Sequence, residues 1–282
     1  MLMLFYNILG NAVLVQIKWG KHIFAYKIVK LPSMKKWILN WFNTKMYGSD
    51  MNRMIMASKI PDQKVSLTRL KSIGFSPLLI FDVGGYKGEF SEMCLEIWNG
   101  AEVHLFEGLP DKIGPLREKF KGLKVKVNEC LVGDKDASEV QFYADETASS
   151  VLYSEEVNYK KQLVTQSMCC LDSYISSHGN IVPDILKIDT QGFEYSVLKG
   201  SETYLSRIPV LLIECNFLEI YQNVKLAGEL IAYLGGFGFV IYDVSEIHRR
   251  PLDNALVQMD FVFVKHDSVW RQDKRWELPQ SA

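Results

Sequence analysis

The sequence predicts an α/β fold built on a mostly parallel seven-stranded sheet whose last strand is antiparallel. Three observations predict it. Short apolar runs, each read as a buried strand, recur between residues 78 and 265. Helical spacings of apolar residues separate most of them. The runs at 78–82 and 185–189 end in polar groups and glycines, as strands do at the mouth of a parallel sheet.

The elements follow in order. Residues 66–73 have helical spacing, Gly74 ends the helix, and Pro77 blocks its continuation. A strand is expected at 78–82, a helix at 89–98 stopped by Asn99-Gly100, and a strand at 102–107. A helix at 111–121 and a strand at 123–130 come next. This β-α-β-α-β order requires right-handed crossovers over one sheet face, so the half is Rossmann-like. Residues 133–171 break the rhythm, with candidate strands at 139–143 and 168–171, and read as an insertion at the ligand mouth. Alternation resumes with a strand at 185–189, a helix at 194–205, a strand at 210–214 and a helix at 226–234. Strands at 239–244 and 258–265 have no helix between them and should pair antiparallel.

Length and composition frame the domains. At 282 residues and 48% hydrophobic content, the chain suits one large domain with an appendage and an ample core. The main domain is expected over 62–268, with an extension at 1–61 and a tail at 269–282. Charge is balanced, with 32 basic and 33 acidic residues and no basic stripe, so a nucleic-acid partner is not expected. Five cysteines (Cys94, Cys130, Cys169, Cys170 and Cys215) form no C-x-x-C pair and read as buried reduced thiols in the cytoplasm.

The first 17 residues are apolar but broken by Asn7, Asn11 and Gln16, and are short for a bilayer span of ~20 residues. Lys18 and Lys21 follow this stretch, whereas a signal peptide places its basic residues first. Lys35, Lys36, Trp37 and Trp41 mix charge with aromatics, as interfacial segments do. The extension therefore has three readings: a helical arm packed on the main domain, a membrane-surface anchor, or sequence upstream of a start at Met34, Met46 or Met51.

The turn after the first strand of the main domain is Asp82-Val83-Gly84-Gly85-Tyr86-Lys87-Gly88. Gly84, Gly85 and Gly88 would let the backbone approach a ligand and offer amides at a helix start. Spaced glycines also serve nicotinamide dinucleotides, but a carboxylate at Asp82 would repel a diphosphate. S-adenosylmethionine carries a sulfonium and an ammonium, which suit Asp82. Glu107 ends the next strand, where a carboxylate accepts both ribose hydroxyls. Glu129 and Asp134 are both candidates to reach the adenine.

These residues resemble the FkbM-type family of S-adenosylmethionine-dependent methyltransferases. Asp82 to Gly88 is similar to that family's Asp-Val-Gly-Ala-Asn-x-Gly, and Phe106-Glu107-Gly108-Leu109-Pro110 to its Phe-Glu-Pro-x-Pro. Leu171-Asp172 resembles its Thr-Leu-Asp element. Leu186-Lys187-Ile188-Asp189-Thr190-Gln191-Gly192-Phe193-Glu194, with Val197-Leu198-Lys199-Gly200, resembles Leu-Lys-Ile-Asp-x-Glu-Gly-x-Glu with Val-Leu-x-Gly. Leu212-Ile213-Glu214 and Asp260-Phe261-Val262-Phe263 also fit. Tyr86 stands where asparagine is usual, Gly108 where proline is usual, and Gln191 where glutamate is usual.

The resemblance implies a class I methyltransferase fold and methyl transfer to a hydroxyl of a sugar, glycoconjugate or natural product. An oxidoreductase or epimerase using NAD(P) is the alternative. Asp189 is the expected polar centre of catalysis, with Lys187 and Glu194 in support, and an ion pair between Lys187 and Glu194 is their purely structural alternative. A metal variant would use Asp189, Glu214 and Asn216 to hold Mg²⁺. His104 is expected to pack inside its strand, and His248, in a loop, is a second candidate base. Arg249 and Arg250 are candidates to recognise an acidic acceptor.

Overall fold

The structure is a computed structural model that describes residues 2–9, 12–19, 22–29, 61–144, 149–154 and 162–276. The chain divides into two compact units, Met1–Lys59 and Ile60–Ala282. In the first unit, β1 (Leu2–Leu9), β2 (Ala12–Trp19) and β3 (His22–Val29) form an antiparallel sheet in unbroken register. These residues are therefore strands and not the expected helical arm. Their runs are rich in isoleucine, valine and aromatics, which favour strands, and Gly-Asn and Gly-Lys dipeptides separate them in the sequence. The interfacial segment expected around Trp37 and Trp41 lies outside the described residues. Among the described residues, no helix is long and apolar enough to cross a membrane.

The second unit opens with α1 (Gln63–Ser72), β4 (Leu79–Val83), α2 (Glu89–Ile97), β5 (Glu102–Glu107), α3 (Pro110–Lys119) and β6 (Val125–Glu129). A small sheet follows, made of β7 (Leu131–Val132), β8 (Ala137–Ala144) and β9 (Gln162–Cys169) in the order β7-β9-β8. Then come α4 (Leu171–Ser177), β10 (Ile185–Ile188), α5 (Glu194–Lys199), α6 (Glu202–Leu205) and β11 (Val210–Asn216). The unit closes with α7 (Ala227–Gly236), β12 (Phe239–Arg249), β13 (Leu256–Lys265) and a short 3-10 turn at Val269–Arg271.

The main sheet has seven strands in the order β12-β13-β11-β10-β4-β5-β6. β11, β10, β4, β5 and β6 are mutually parallel, and β13 runs antiparallel to both neighbours. The order reverses between β4 and β10, which is the topological switch point where ligands of open α/β sheets bind. Both faces are covered, so the central strands are apolar on both sides. One face packs Phe81, Leu186, Ile188 and Leu211 against α4, α5, α6 and α7. The other packs Ile80, Ile185, Val210 and Leu212 against α1 and α2.

Several boundaries depart from the sequence reading for local reasons. α1 starts at Gln63 because the Asp62 carboxylate caps it, accepting the Val65 N–H at 2.7 Å. The helix expected over 194–205 is two helices, parted at Gly200, where an added Cβ would meet the Gly133 carbonyl oxygen at 1.9 Å. β12 continues to Arg249 through register shifts, so His248 lies on a strand and not in a loop. Cys94 and Cys215 are buried as expected, but Cys130, Cys169 and Cys170 are only partly so, with the Cys130 and Cys169 sulfurs 3.3 Å apart.

Gly84 has φ +77, and a Cβ added there would lie 1.8 Å from the Asp189 carbonyl oxygen. Gly84→Ala combines left-handed strain with overlap against a fixed backbone, for an expected loss of about 2–4 kcal/mol. Gly228, in α7 with nothing within 4 Å of the added atom, serves as the control. Gly228→Ala should be neutral or stabilising by up to about 1 kcal/mol. Chemical denaturation of both variants measures the difference.

Candidate active site

Strand pairing brings the first charges together. β10 sits between β4 and β11, with Lys187 opposite Asp82, and side-chain alternation puts Lys187 and Asp189 on one face. The Lys187 Nζ lies 3.3 Å from Asp82 Oδ1 and 3.4 Å from Asp189 Oδ2, and donates to the Gly84 carbonyl at 3.2 Å. Burial opposes the lysine charge, but the Asp82 and then Asp189 carboxylates outweigh it and hold its pKa above the usual value. Asp82 is 0% exposed, and its other oxygen accepts the Ser91 hydroxyl at 2.7 Å. Its charge is thus spent inside the protein, so the repulsion expected between Asp82 and a diphosphate does not act at this residue.

The glycine turn is tied to the end of β5. Gly84 and Gly85 both donate their N–H to the Phe106 carbonyl at 3.0 Å, so these amides face the protein and not a ligand. Added Cβ atoms at Gly85 and Gly88 would meet Leu105 at 2.4 Å and Phe120 at 2.5 Å. The glycines are therefore required by packing. Glu107 completes the tie by accepting the Tyr86 N–H on one oxygen and the Leu109 N–H on the other, both at 2.7 Å. Burial raises the Glu107 pKa more than these two amides lower it. Each oxygen keeps a second lone pair, so the carboxylate can still accept two hydroxyl donors.

Two cavities flank the turn. The first, of about 160 Å³, is lined by Phe106, Glu107, Leu109, Leu131, Phe142 and Gln191 among others. The second, of about 400 Å³, is lined by Asp62, Glu89, Phe90, Met93, Lys187 and Glu246 among others. Gly84, Tyr86 and Asp189 belong to both walls. An elongated ligand with an apolar, hydroxyl-bearing end and a charged end fits this pair: apolar walls beside Glu107 on one side, acids and a lysine on the other.

Beyond Asp189 the edge of the sheet is acidic. Glu214 on β11 stands opposite Asp260 on β13, and both are buried. Glu214 is held well above the usual carboxylate range by burial first, then by the Asp189, Glu194 and Asp260 carboxylates. Gln191 lies between these acids, its Nε2 donating to Asp189 Oδ1 and to Glu214 Oε2, each at 3.1 Å. Gln258 donates to the same Glu214 oxygen at 2.8 Å, and Gln63 to Asp260 at 2.5 Å.

The remaining sequence candidates divide. Glu194 is buried and lines neither cavity, and its Oε1 accepts the N–H groups of Thr190 and Gly192 at 3.0 Å each. It shapes the loop that carries Gln191 and makes no ion pair with Lys187. Glu129 and Asp134 do not line the first cavity, whose wall there is Cys130, Leu131 and Val132. His104 is buried and stacked on Phe81, as expected of a packed histidine. His248 faces Glu246 at 3.7 Å and is in neither cavity wall. Arg250 forms a two-pronged contact with Asp253 at 2.8 and 2.7 Å, and Arg249 donates to the Asn254 carbonyl, so both hold their own turn. Among the described residues, no three histidine, cysteine or acidic side chains gather as a metal site. Phe142, Ser150 and Tyr221 were not singled out from sequence; only the reading of 133–171 as a mouth insertion pointed toward the first two.

The model of the Methyltransferase FkbM domain matches residues 82–241, more than half of the chain, and the chain belongs to that family. No curated protein matches it. Among solved structures, it is similar to the precorrin-6y C5,15-methyltransferase of Geobacter metallireducens, at 12% identity over 71% of this chain and 86% of that one, with a TM-score of 0.40. It is also similar to the 1,6-didemethyltoxoflavin-N1-methyltransferase of Burkholderia thailandensis, whose structure holds S-adenosylhomocysteine, at 14% identity over 93% and 98%, TM-score 0.40. A third is a TehB-like methyltransferase of Corynebacterium glutamicum, at 11% identity over 79% and 98%, TM-score 0.35. Family membership makes the chain an S-adenosylmethionine-dependent methyltransferase and decides against a nicotinamide dinucleotide.

The buried acids give stability a definite pH dependence. Asp260 is pushed from 3.8 up to about 7 by burial and then by Asp189, and Glu194 from 4.5 up to about 7 mainly by burial. Between the unfolded and folded values the native state holds protons that the unfolded chain has released. Their contribution is therefore complete below the unfolded values and is lost as pH rises through about 7. Urea denaturation should show stability falling between about pH 4 and pH 7 and levelling above that, and Asp260→Asn should flatten that slope.

Proposed function

Taking family membership as the premise, we propose that the chain transfers the methyl group of S-adenosylmethionine to a hydroxyl oxygen of a sugar, glycoconjugate or hydroxylated natural product. The observation that carries this reading is Asp189. Among the described residues it is the one acid shared by the two cavity walls, and its side chain is 34% exposed at the end of β10. A partly open carboxylate at the meeting point of two cavities suits the proton acceptor of an attacking hydroxyl.

Bound S-adenosylmethionine supplies a methyl carbon already activated by the adjacent sulfonium. The protein has only to orient the acceptor and take its proton. In this reading Glu107 accepts the ribose hydroxyls with its two remaining lone pairs, and Phe106, Leu109, Leu131 and Phe142 flank the adenine. Gly84, Gly85 and Gly88 keep the turn close against β5 and α3. Asp82 acts from beneath, through Lys187, which grips the Gly84 carbonyl and holds Asp189 by an ion pair. Asp189 takes the hydroxyl proton as the acceptor oxygen attacks, and Glu194 shapes the loop beside it.

The donor set does not call for a metal, since the Gln191 amide already donates to both Asp189 and Glu214. Transfer of labelled methyl groups to a panel of hydroxylated saccharides and natural products tests the reading, with the position of the label read by mass spectrometry. Asp189→Asn should lower kcat by about 10²–10⁴ and leave the S-adenosylhomocysteine Kd within about threefold. Glu107→Gln should instead weaken S-adenosylhomocysteine binding by about tenfold or more in calorimetry. Full turnover by Asp189→Asn, or label found on nitrogen or carbon, would overturn the reading.

A further inference from the structure

Gln191 departs from the family pattern, and its surroundings give that departure a physical meaning. Its backbone is left-handed, with φ 53, which is strained for a residue with a side chain. Four groups hold it there. Its carbonyl accepts the Ser150 hydroxyl at 2.7 Å, and its Oε1 accepts the Tyr221 hydroxyl at 3.3 Å. Its Nε2 donates to Asp189 and Glu214 at 3.1 Å each. The orientation of the amide follows from Asp189 and Tyr221: the Asp189 carboxylate accepts from the nitrogen, and the tyrosine hydroxyl donates to the oxygen.

Two carboxylates that face one another in a buried site ordinarily share a proton, a lysine or a metal ion. A hard divalent cation joining Asp189 to Glu214 would sit about 2.0–2.6 Å from an oxygen of each. The Nε2 of Gln191 occupies that bridging space. Asn216, the third oxygen donor of a metal reading, is 0% exposed, with neither amide atom partnered. Lys187 answers Asp82 and Asp189. The centre is therefore held together without a further cation.

We propose that the neutral amide of Gln191 takes the place of a bridging cation between Asp189 and Glu214, and thereby positions Asp189 for metal-independent methyl transfer. Gln191 is a positioning residue, acting through Asp189, and the inference rests on Asp189 as the proton acceptor. A glutamate placed at position 191 would bring three carboxylates together, which then need a cation or a shared proton.

The test uses the full-length enzyme, an acceptor identified by the labelled-methyl screen, and Mn²⁺ followed by electron paramagnetic resonance as the metal probe. After dialysis against EDTA the wild type should keep its turnover and show no tight Mn²⁺ site. Gln191→Glu should lose kcat by about 10–100-fold with the S-adenosylhomocysteine Kd within about threefold, and should gain a Mn²⁺ site. The double variant Gln191→Glu/Glu214→Gln restores an amide–carboxylate contact between the two positions but leaves Asp189 facing a carboxylate. It should recover thermal stability and stay slow, which separates positioning of Asp189 from mere support of the fold. Loss of wild-type turnover in EDTA, with rescue by Mg²⁺, would overturn the proposal on unaltered protein. Full kcat in Gln191→Glu without Mn²⁺ binding would overturn it too. Failure here while Asp189→Asn is inactive sinks only this inference; an active Asp189→Asn sinks the reading beneath it.

Discussion

The site depends on one buried cation. Lys187 stands in the middle of the sheet with an acid on each side, Asp82 at 3.3 Å and Asp189 at 3.4 Å. Removing the lysine would leave its two carboxylates facing one another without a cation, which typically costs several kcal/mol. The arrangement has a use that an apolar replacement lacks. The lysine also donates to the Gly84 carbonyl, so one ammonium ties the glycine turn, the first strand of the domain and the polar end of β10 together. Turn and strand end are the two halves of the site, and they meet at this group.

The acids around the lysine follow a gradient. Asp82 is closed off, Asp189 is open to both cavities, and Glu214 and Asp260 are buried again behind it. Lys187 and the Gln191 amide both lie beside Asp189. Its buried neighbours are pushed toward their neutral forms, chiefly by burial. Among these three acids beyond the lysine, charge is thereby concentrated on the one that lines both cavities.

Much of this was legible in the sequence where it depended on local pattern. The strand ends at Asp82, Glu107 and Asp189 came from apolar runs that stop in polar residues, and the period of two placed Lys187 and Asp189 on one face. What was not legible depends on pairing between distant segments. That Lys187 belongs to Asp82, and not to Glu194, follows only once β10 is known to lie beside β4. The facing of Glu214 and Asp260 needs the antiparallel register of β11 and β13. The glycines were recognised, but for a different reason: their space is filled by Asp189, Leu105 and Phe120. The first thirty residues misled because a short apolar run does not by itself distinguish helix from strand.

The closeness of Gly84 to the Asp189 carbonyl also bears on motion. Two backbones with no room for a methyl group between them, joined by a lysine and flanked by matched strands, move as a single body. The glycine turn and the acid therefore keep their spacing through thermal fluctuation. Whatever moves to admit one ligand or release another, the distance from the glycine turn to Asp189 stays constant, as a direct displacement between two bound molecules requires.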